Sequence, residues 1–155
     1  GLKTNLRNAI RLRNVATSVM PKEFSKSTKN IVREAKSRLV PFPTDTKEEA
    51  SEIRSVRSSI NATVSMVNYN TRAEVYAGGS SKTRNMAAYL EFGTGKFAQN
   101  YLSGKPKWVA RWAASYIVNR KGTLETHDYL YPAVDKEFPE LVNRIQNKVD
   151  TAWTI

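Results

Sequence analysis

From residue 4 to residue 39 the apolar positions Leu6, Ile10, Leu12, Val15, Ala16, Val19, Phe24, Ile31, Val32, Ala35 and Leu39 recur at mixed three- and four-residue steps. That spacing predicts helix with one apolar side. Pro21 falls inside the run, and proline suits a first helical turn but not an interior, so the reading is two helices, or one kinked helix, meeting near Val19 to Lys22. Lys22, Lys26, Lys29, Arg33 and Lys36 share one flank of the second piece, opposite its apolar stripe. The stretch VPFPTDTKEEASE ends the helix with two prolines and continues as an acidic, exposed loop over residues 42–55.

At Val56 the period changes from helical to alternating. Val56, Ser58, Ile60, Ala62, Val64 and Met66 alternate with polar residues, NYNT supplies a turn, and RAEVYAG alternates again, which predicts a hairpin. GGSSKTRN reads as a cationic loop over residues 78–86, and AAYLEF as a third strand with Ala88, Leu90 and Phe92 on one face and Tyr89 and Glu91 on the other. Helical spacing returns over residues 105–120, with Pro106 near the first turn and Gly122 as a C-cap. HDYLYPAV reads as extended, and Val134 to Val149 as an amphipathic helix through Phe138, Leu141, Val142, Ile145 and Val149, with Pro139 near its start. The expected class is α+β: a long or kinked N-terminal helix and C-terminal helices packed on a small antiparallel sheet of three or four strands. A chain of 155 residues fits a single domain spanning 1–155.

Charge adds an asymmetry that the hydrophobic pattern lacks. The formal net charge is +11. Residues 1–40 hold ten Lys or Arg against Glu23 and Glu34, whereas the rest holds fifteen against twelve acids, so the basicity belongs mainly to the N-terminal helical segment. Such a face meets nucleic acid, an acidic protein or an anionic surface, or it is simply a solvated helix exterior. The absence of cysteine excludes disulfides, thiolate nucleophiles and sulfur-ligated zinc. No run reaches the 18 or so apolar residues of a membrane span and the N-terminus lacks a signal-peptide core, so the expectation is a cytoplasmic protein with no membrane partner.

Candidate chemistry is sparse. YLEFGTGKFA places Gly-Thr-Gly-Lys where a phosphate cradle could form, but Gly95-Lys96 is followed by Phe97 rather than a hydroxyl residue, and Leu90 stands where a P-loop has its first glycine. A dinucleotide fingerprint lacks its βαβ context. His127, the single histidine, lies beside Glu125 and Asp128; a general base or metal ligand is one reading, but no second histidine completes a site and a structural role fits better. No serine stands in a nucleophile elbow. Trp108 and Trp112, four residues apart, form one helix side that serves either as core against the sheet or as an interface hot spot. No enzyme, metal or cofactor is expected.

Taken in order, several stretches resemble one family. NIVREAKSRLVPFPT looks like a helix ending before a sheet, RSSI like a first-strand entry, and AAYLEFGTG like a strand with tyrosine and glutamate running into Phe-Gly-Thr. WVARWAASYIVNRKGT resembles a tryptophan helix, and YLYPAVDKEF an aromatic segment leading into a C-terminal helix. The ordered set is similar to the tail-completion, head-tail joining or neck proteins of long-tailed bacteriophages. The acidic loop in PTDTKEEASEI departs from that pattern, and the first thirty residues carry little of it.

That resemblance implies a non-enzymatic structural subunit of the virion neck, made in the host cytoplasm. It would form a six-fold or twelve-fold ring of its own copies between portal, adaptor or head-completion proteins and a tail terminator or tail tube protein, with genomic DNA possible in its channel. Tyr89, Glu91, Phe92, Gly93, Thr94 and Gly95 form its motif turn. Trp108, Trp112, Tyr129, Tyr131 and Pro132 are interface candidates, and the flank from Lys22 to Lys36 faces DNA or an acidic ring. The alternative is a nucleic-acid-binding module using that same flank on phosphates.

Overall fold

A computed structural model of the chain describes residues 1–94, 96–114 and 124–153. The described residues form mixed helix plus one two-stranded antiparallel hairpin, broadly α+β. It divides into two compact units: residues 1–32, 62–75 and 134–155, and residues 33–61 and 76–133.

The N-terminal helical run extends from Leu2 to Arg38 as α1 (Leu2–Asn14), a π-helical turn (Val15–Val19) and α2 (Met20–Arg38). The interruption falls just before Pro21, near its expected place. Proline has no N–H and its ring crowds the carbonyl four residues back, and a wider π turn there relieves both. The Met20 N–H bonds to the Val15 carbonyl, five residues back. Residues 42–55 are not one loop: α3 spans Lys47–Ser59. Thr46 caps it through a reciprocal capping box in which its hydroxyl accepts from the Glu49 N–H and the Glu49 carboxylate accepts from the Thr46 N–H. Ile53, Val56 and Ile60, at helical steps, are buried, so Val56 and Ser58 belong to this helix and not to the first strand.

The hairpin itself is β1 (Asn61–Val67) and β2 (Asn70–Tyr76). Its two-residue turn, Asn68-Tyr69, takes φ of 48° and 66°, the left-handed pair that matches strand twist in tight hairpins. The expected third strand does not form over AAYLEF. AAYLEF lies in α4 (Ser81–Phe92), capped by the Ser80 hydroxyl, which accepts from the Thr83 N–H. The alternation that suggested a strand fails because Ala87, Ala88, Leu90, Glu91 and Phe92 are all buried, covering most of the helix circumference in the way a core helix does. Residues 81–86, expected as loop, are the start of that helix.

Two shorter helices, α5 (Lys96–Leu102) and α6 (Lys107–Ala114), follow. The remainder of the helix expected to residue 120, with its C-cap Gly122, and Gly95 of the motif lie outside the described residues, as does the side chain of Trp112. The last helix, α7 (Leu130–Ala152), begins four residues before the expected Val134, within the segment read as extended, so that Pro139 is interior.

In the unit of residues 33–61 and 76–133, the core is apolar and tight: Leu39, Ile53, Val56, Leu90, Phe92, Val109 and Tyr129 are essentially inaccessible. Phe92 meets Tyr101 edge-on at 5.5 Å, with Ala88, Val109 and Ala113 around them. The other unit is held differently. Arg144 of α7 pairs with Glu23 at 2.7 Å and Glu137 at 3.2 Å, and Glu137 also accepts from Ser27 and Asn30 of α2. Among the described residues no helix is long and apolar enough to cross a membrane.

Candidate functional site

The buried carboxylate of Glu91 is the most connected polar group described. It sits on the last turn of α4 and is 1% exposed. One oxygen, Oε2, accepts from the backbone N–H groups of Tyr129 (2.9 Å) and Leu130 (2.7 Å). The other, Oε1, accepts from the Tyr131 N–H (2.9 Å) and the Tyr101 hydroxyl (2.8 Å). The first amides of any helix lack internal partners and carry the positive end of its dipole. Glu91 therefore caps α7 from another element and sets its start. Burial pushes the Glu91 carboxyl above its ordinary range, and the carboxylate of Asp128 adds to the rise, while the bonds from Leu130, Tyr131 and Tyr101 pull it back.

The residues after Glu91 fasten the same strap. Gly93 has φ +74°, and a side-chain carbon there would lie 2.5 Å from Thr126 Oγ1 and 2.8 Å from Phe97 Cβ. Only glycine fits. Thr94 donates its N–H to the Leu124 carbonyl and accepts the Leu124 N–H on its hydroxyl. The Thr126 hydroxyl donates to the Phe92 carbonyl, and the His127 N–H to the Leu90 carbonyl. Phe-Gly-Thr is thus a clamp on residues 124–131, not a phosphate cradle.

His127 is buried beside Asp45, Nε2 to Oδ2 at 3.0 Å, and Phe42 stacks on its ring at 4.2 Å between centroids. Its Nδ1 faces the Glu125 carbonyl, which only accepts, so Nδ1 is the donor in that contact. Asp45 also accepts the Phe42 N–H. This latch ties the turn before α3 to the strap. Nothing in the local sequence announces it, because its partners are 82 residues apart.

A raised glutamate near a second acid can signal acid-base chemistry. Asp128, at φ 42°, is also raised, first by burial and against the pull of Lys105. All four donor contacts on Glu91, however, are architectural, and no water-facing oxygen is left for a substrate. Burial, the charge of Glu91 and its hydrogen bond likewise push the Tyr101 phenol up. Among the described residues no group of histidines and acids is arranged to hold a metal ion.

The interface candidates separate. Trp108 is exposed and tilts against Tyr131 at 5.6 Å, and the Lys105 ammonium lies over the rings of Tyr101 and Tyr131. Pro132 is half-buried in the first turn of α7, where its missing N–H costs nothing. Tyr129 does not belong with them: it is fully buried, and its hydroxyl donates to the Ala87 carbonyl. Lys22, Lys26, Lys29 and Arg33 are exposed along α2 and Lys36 is half-buried, so the basic flank is on one helix as the spacing required.

One set of surface residues escaped the sequence reading. Leu6 and Ile10, expected in the apolar core face, are exposed, together with Leu2. The buried side of α1 carries Asn8 instead. Comparison with protein families, with curated proteins and with solved structures gives no match to this chain.

Proposed function

We propose that the chain is a non-enzymatic assembly subunit that forms a ring at the head-tail junction of a long-tailed bacteriophage, joining the portal and head-completion proteins to the tail. The observation that carries the assembly part of this reading is the concentration of exposed apolar side chains in the unit of residues 1–32, 62–75 and 134–155. It buries Asn8, Ser27 and Thr28 beside Val15, Ile31, Leu141 and Ala152, while Leu2, Leu6, Ile10, Met66, Val67, Tyr69, Phe138, Val142 and Trp153 are exposed. Where such side chains lie side by side, as Leu2, Leu6 and Ile10 do on one helix, they favour a face that a partner covers. A ring at a junction supplies such partners from neighbouring copies and from the different proteins above and below it.

The neck assignment rests on the ordered resemblance, and the architecture of its most specific stretch supports a structural role. AAYLEFGTG and YLYPAVDKEF, far apart in sequence, meet where Glu91 caps α7. Particles made without this protein are expected to accumulate as separate heads and tails, seen by electron microscopy. Intact infectious particles in its absence overturn the reading.

The second reading is a nucleic-acid-binding module, favoured by one observation: Lys22, Lys26, Lys29 and Arg33 stand exposed along one flank of α2. It requires duplex binding that weakens steeply with salt and falls uniformly when those residues are neutralised.

A further inference from the structure

The exposed side of α1 has a chemistry that neither DNA nor a solvated surface explains. Leu2, Leu6 and Ile10 are 86%, 62% and 53% exposed at four-residue steps, a narrow apolar seam along one side of the helix. Lys3, Arg7 and Arg11 run parallel to it at the same steps, and Arg13 returns to the seam. No acid occurs before Glu23. Phosphates would use the cations and leave the leucines in water. An interfacial lipid helix has a broader apolar face with aromatic residues, which this seam lacks. Anchors at i, i+4 and i+8 flanked by cations are the pattern of a helix laid into a protein groove.

The charge decides whose groove. A second copy is a poor host for this helix, although other faces can serve ring contacts, because α1 carries Lys3, Arg7, Arg11 and Arg13 with no acid and nine of the chain's fourteen acids are already engaged. Glu23 and Glu137 hold Arg144, Glu34 holds Arg38, Glu74 holds Arg72, Asp128 lies by Lys105, Asp45 holds His127, Asp150 accepts from Gln146, Glu49 caps α3 and Glu91 caps α7. We infer that α1 docks, through Leu2, Leu6 and Ile10, into an apolar groove rimmed by carboxylates on a different protein. The inference goes beyond the ring reading and does not depend on it, since it concerns one helix and one class of partner.

Calcium-loaded calmodulin serves as the probe, an acidic protein with a methionine-lined groove that closes without calcium. The full chain is expected to bind it at micromolar concentration or tighter in titration calorimetry, and to release it when calcium is chelated. Leu6→Ser with Ile10→Ser, and separately Lys3→Glu with Arg7→Glu, should each weaken binding by about tenfold or more. Leu2→Ser, at the most exposed position, gives the same reading should the double serine variant lose its helical circular dichroism signal. No binding, or binding indifferent to the serine variants, overturns the inference. So does seam-dependent binding to phosphatidylserine vesicles but not to calmodulin, or self-association in sedimentation that the serine variants abolish. Duplex DNA binding that needs Lys3 and Arg7 but not Leu6 and Ile10, with none to calmodulin, overturns it in favour of phosphates.

Discussion

Among the described residues, the unit of residues 33–61 and 76–133 buries a glutamate and exposes three large apolar side chains, Val40, Tyr76 and Trp108, whereas the other unit buries asparagine, serine and threonine beside a few apolar residues and exposes nine large apolar side chains. Both arrangements satisfy the same physics. A buried carboxylate survives when donors surround it, and Glu91 has four. An apolar side chain in water loses the burial free energy that would otherwise stabilise the fold, roughly 1.5–3 kcal/mol for a large one, unless a partner covers it. The first unit is therefore largely finished within the chain, and on the proposed ring reading the second is finished by assembly.

Substitutions can break this contrast, and the largest effect is expected in the finished unit. Glu91→Ala leaves three backbone N–H groups and the Tyr101 hydroxyl without their acceptor, and should lower stability by about 3–5 kcal/mol in urea unfolding. Glu91→Gln should fall between, since its amide nitrogen would face donors. Gly93→Ala comes next, at about 2–4 kcal/mol, because the backbone is left-handed there and Thr126 and Phe97 block the added carbon. Loss of thermal stability under 1 kcal/mol would show that the clamp yields easily.

Smaller effects are expected in the other unit. Burial raises the Glu137 carboxyl, but the bonds from Ser27, Asn30 and Arg144 and the Arg144 charge outweigh it, so its folded value is below the ordinary 4.5. Its contribution is thus present above about pH 4.5 and lost as pH falls through the lowered value. Glu137→Gln should flatten the acid limb of stability against pH while costing about 1 kcal/mol near neutrality. The smallest change is expected for Leu6→Ser with Ile10→Ser, within about 0.5 kcal/mol for the isolated chain. A large loss there would mean that the α1 seam is structural in the monomer, and the contrast between the two units would collapse.

Much of the local structure was legible from spacing and end signals. The N-terminal helical run and its interruption near Pro21, the basic flank from Lys22 to Lys36, the hairpin turn after Val67 and the positive φ of Gly93 follow from rules that act within a few residues. The helix over AAYLEF was misread, because two-residue alternation over six positions is shared by a strand and by a helix buried on most sides. The capping box of Thr46 and Glu49 was present in the sequence and would have placed α3, had it outweighed the neighbouring prolines and acids.

What the sequence by itself determined is therefore local: that the N-terminal run is helical and broken near Pro21, that Gly93 takes a positive φ, and that one segment holds most of the positive charge. What only the tertiary structure decided is pairing at a distance. Glu91 reads as a wet strand position until the amides of residues 129–131 arrive to meet it, and α7 starts at Leu130 because that cap exists. His127 finds Asp45, 82 positions away. Leu6 and Ile10 have the spacing of core residues and lie in water, since periodicity fixes which residues share a helix side but not which side meets the rest of the molecule.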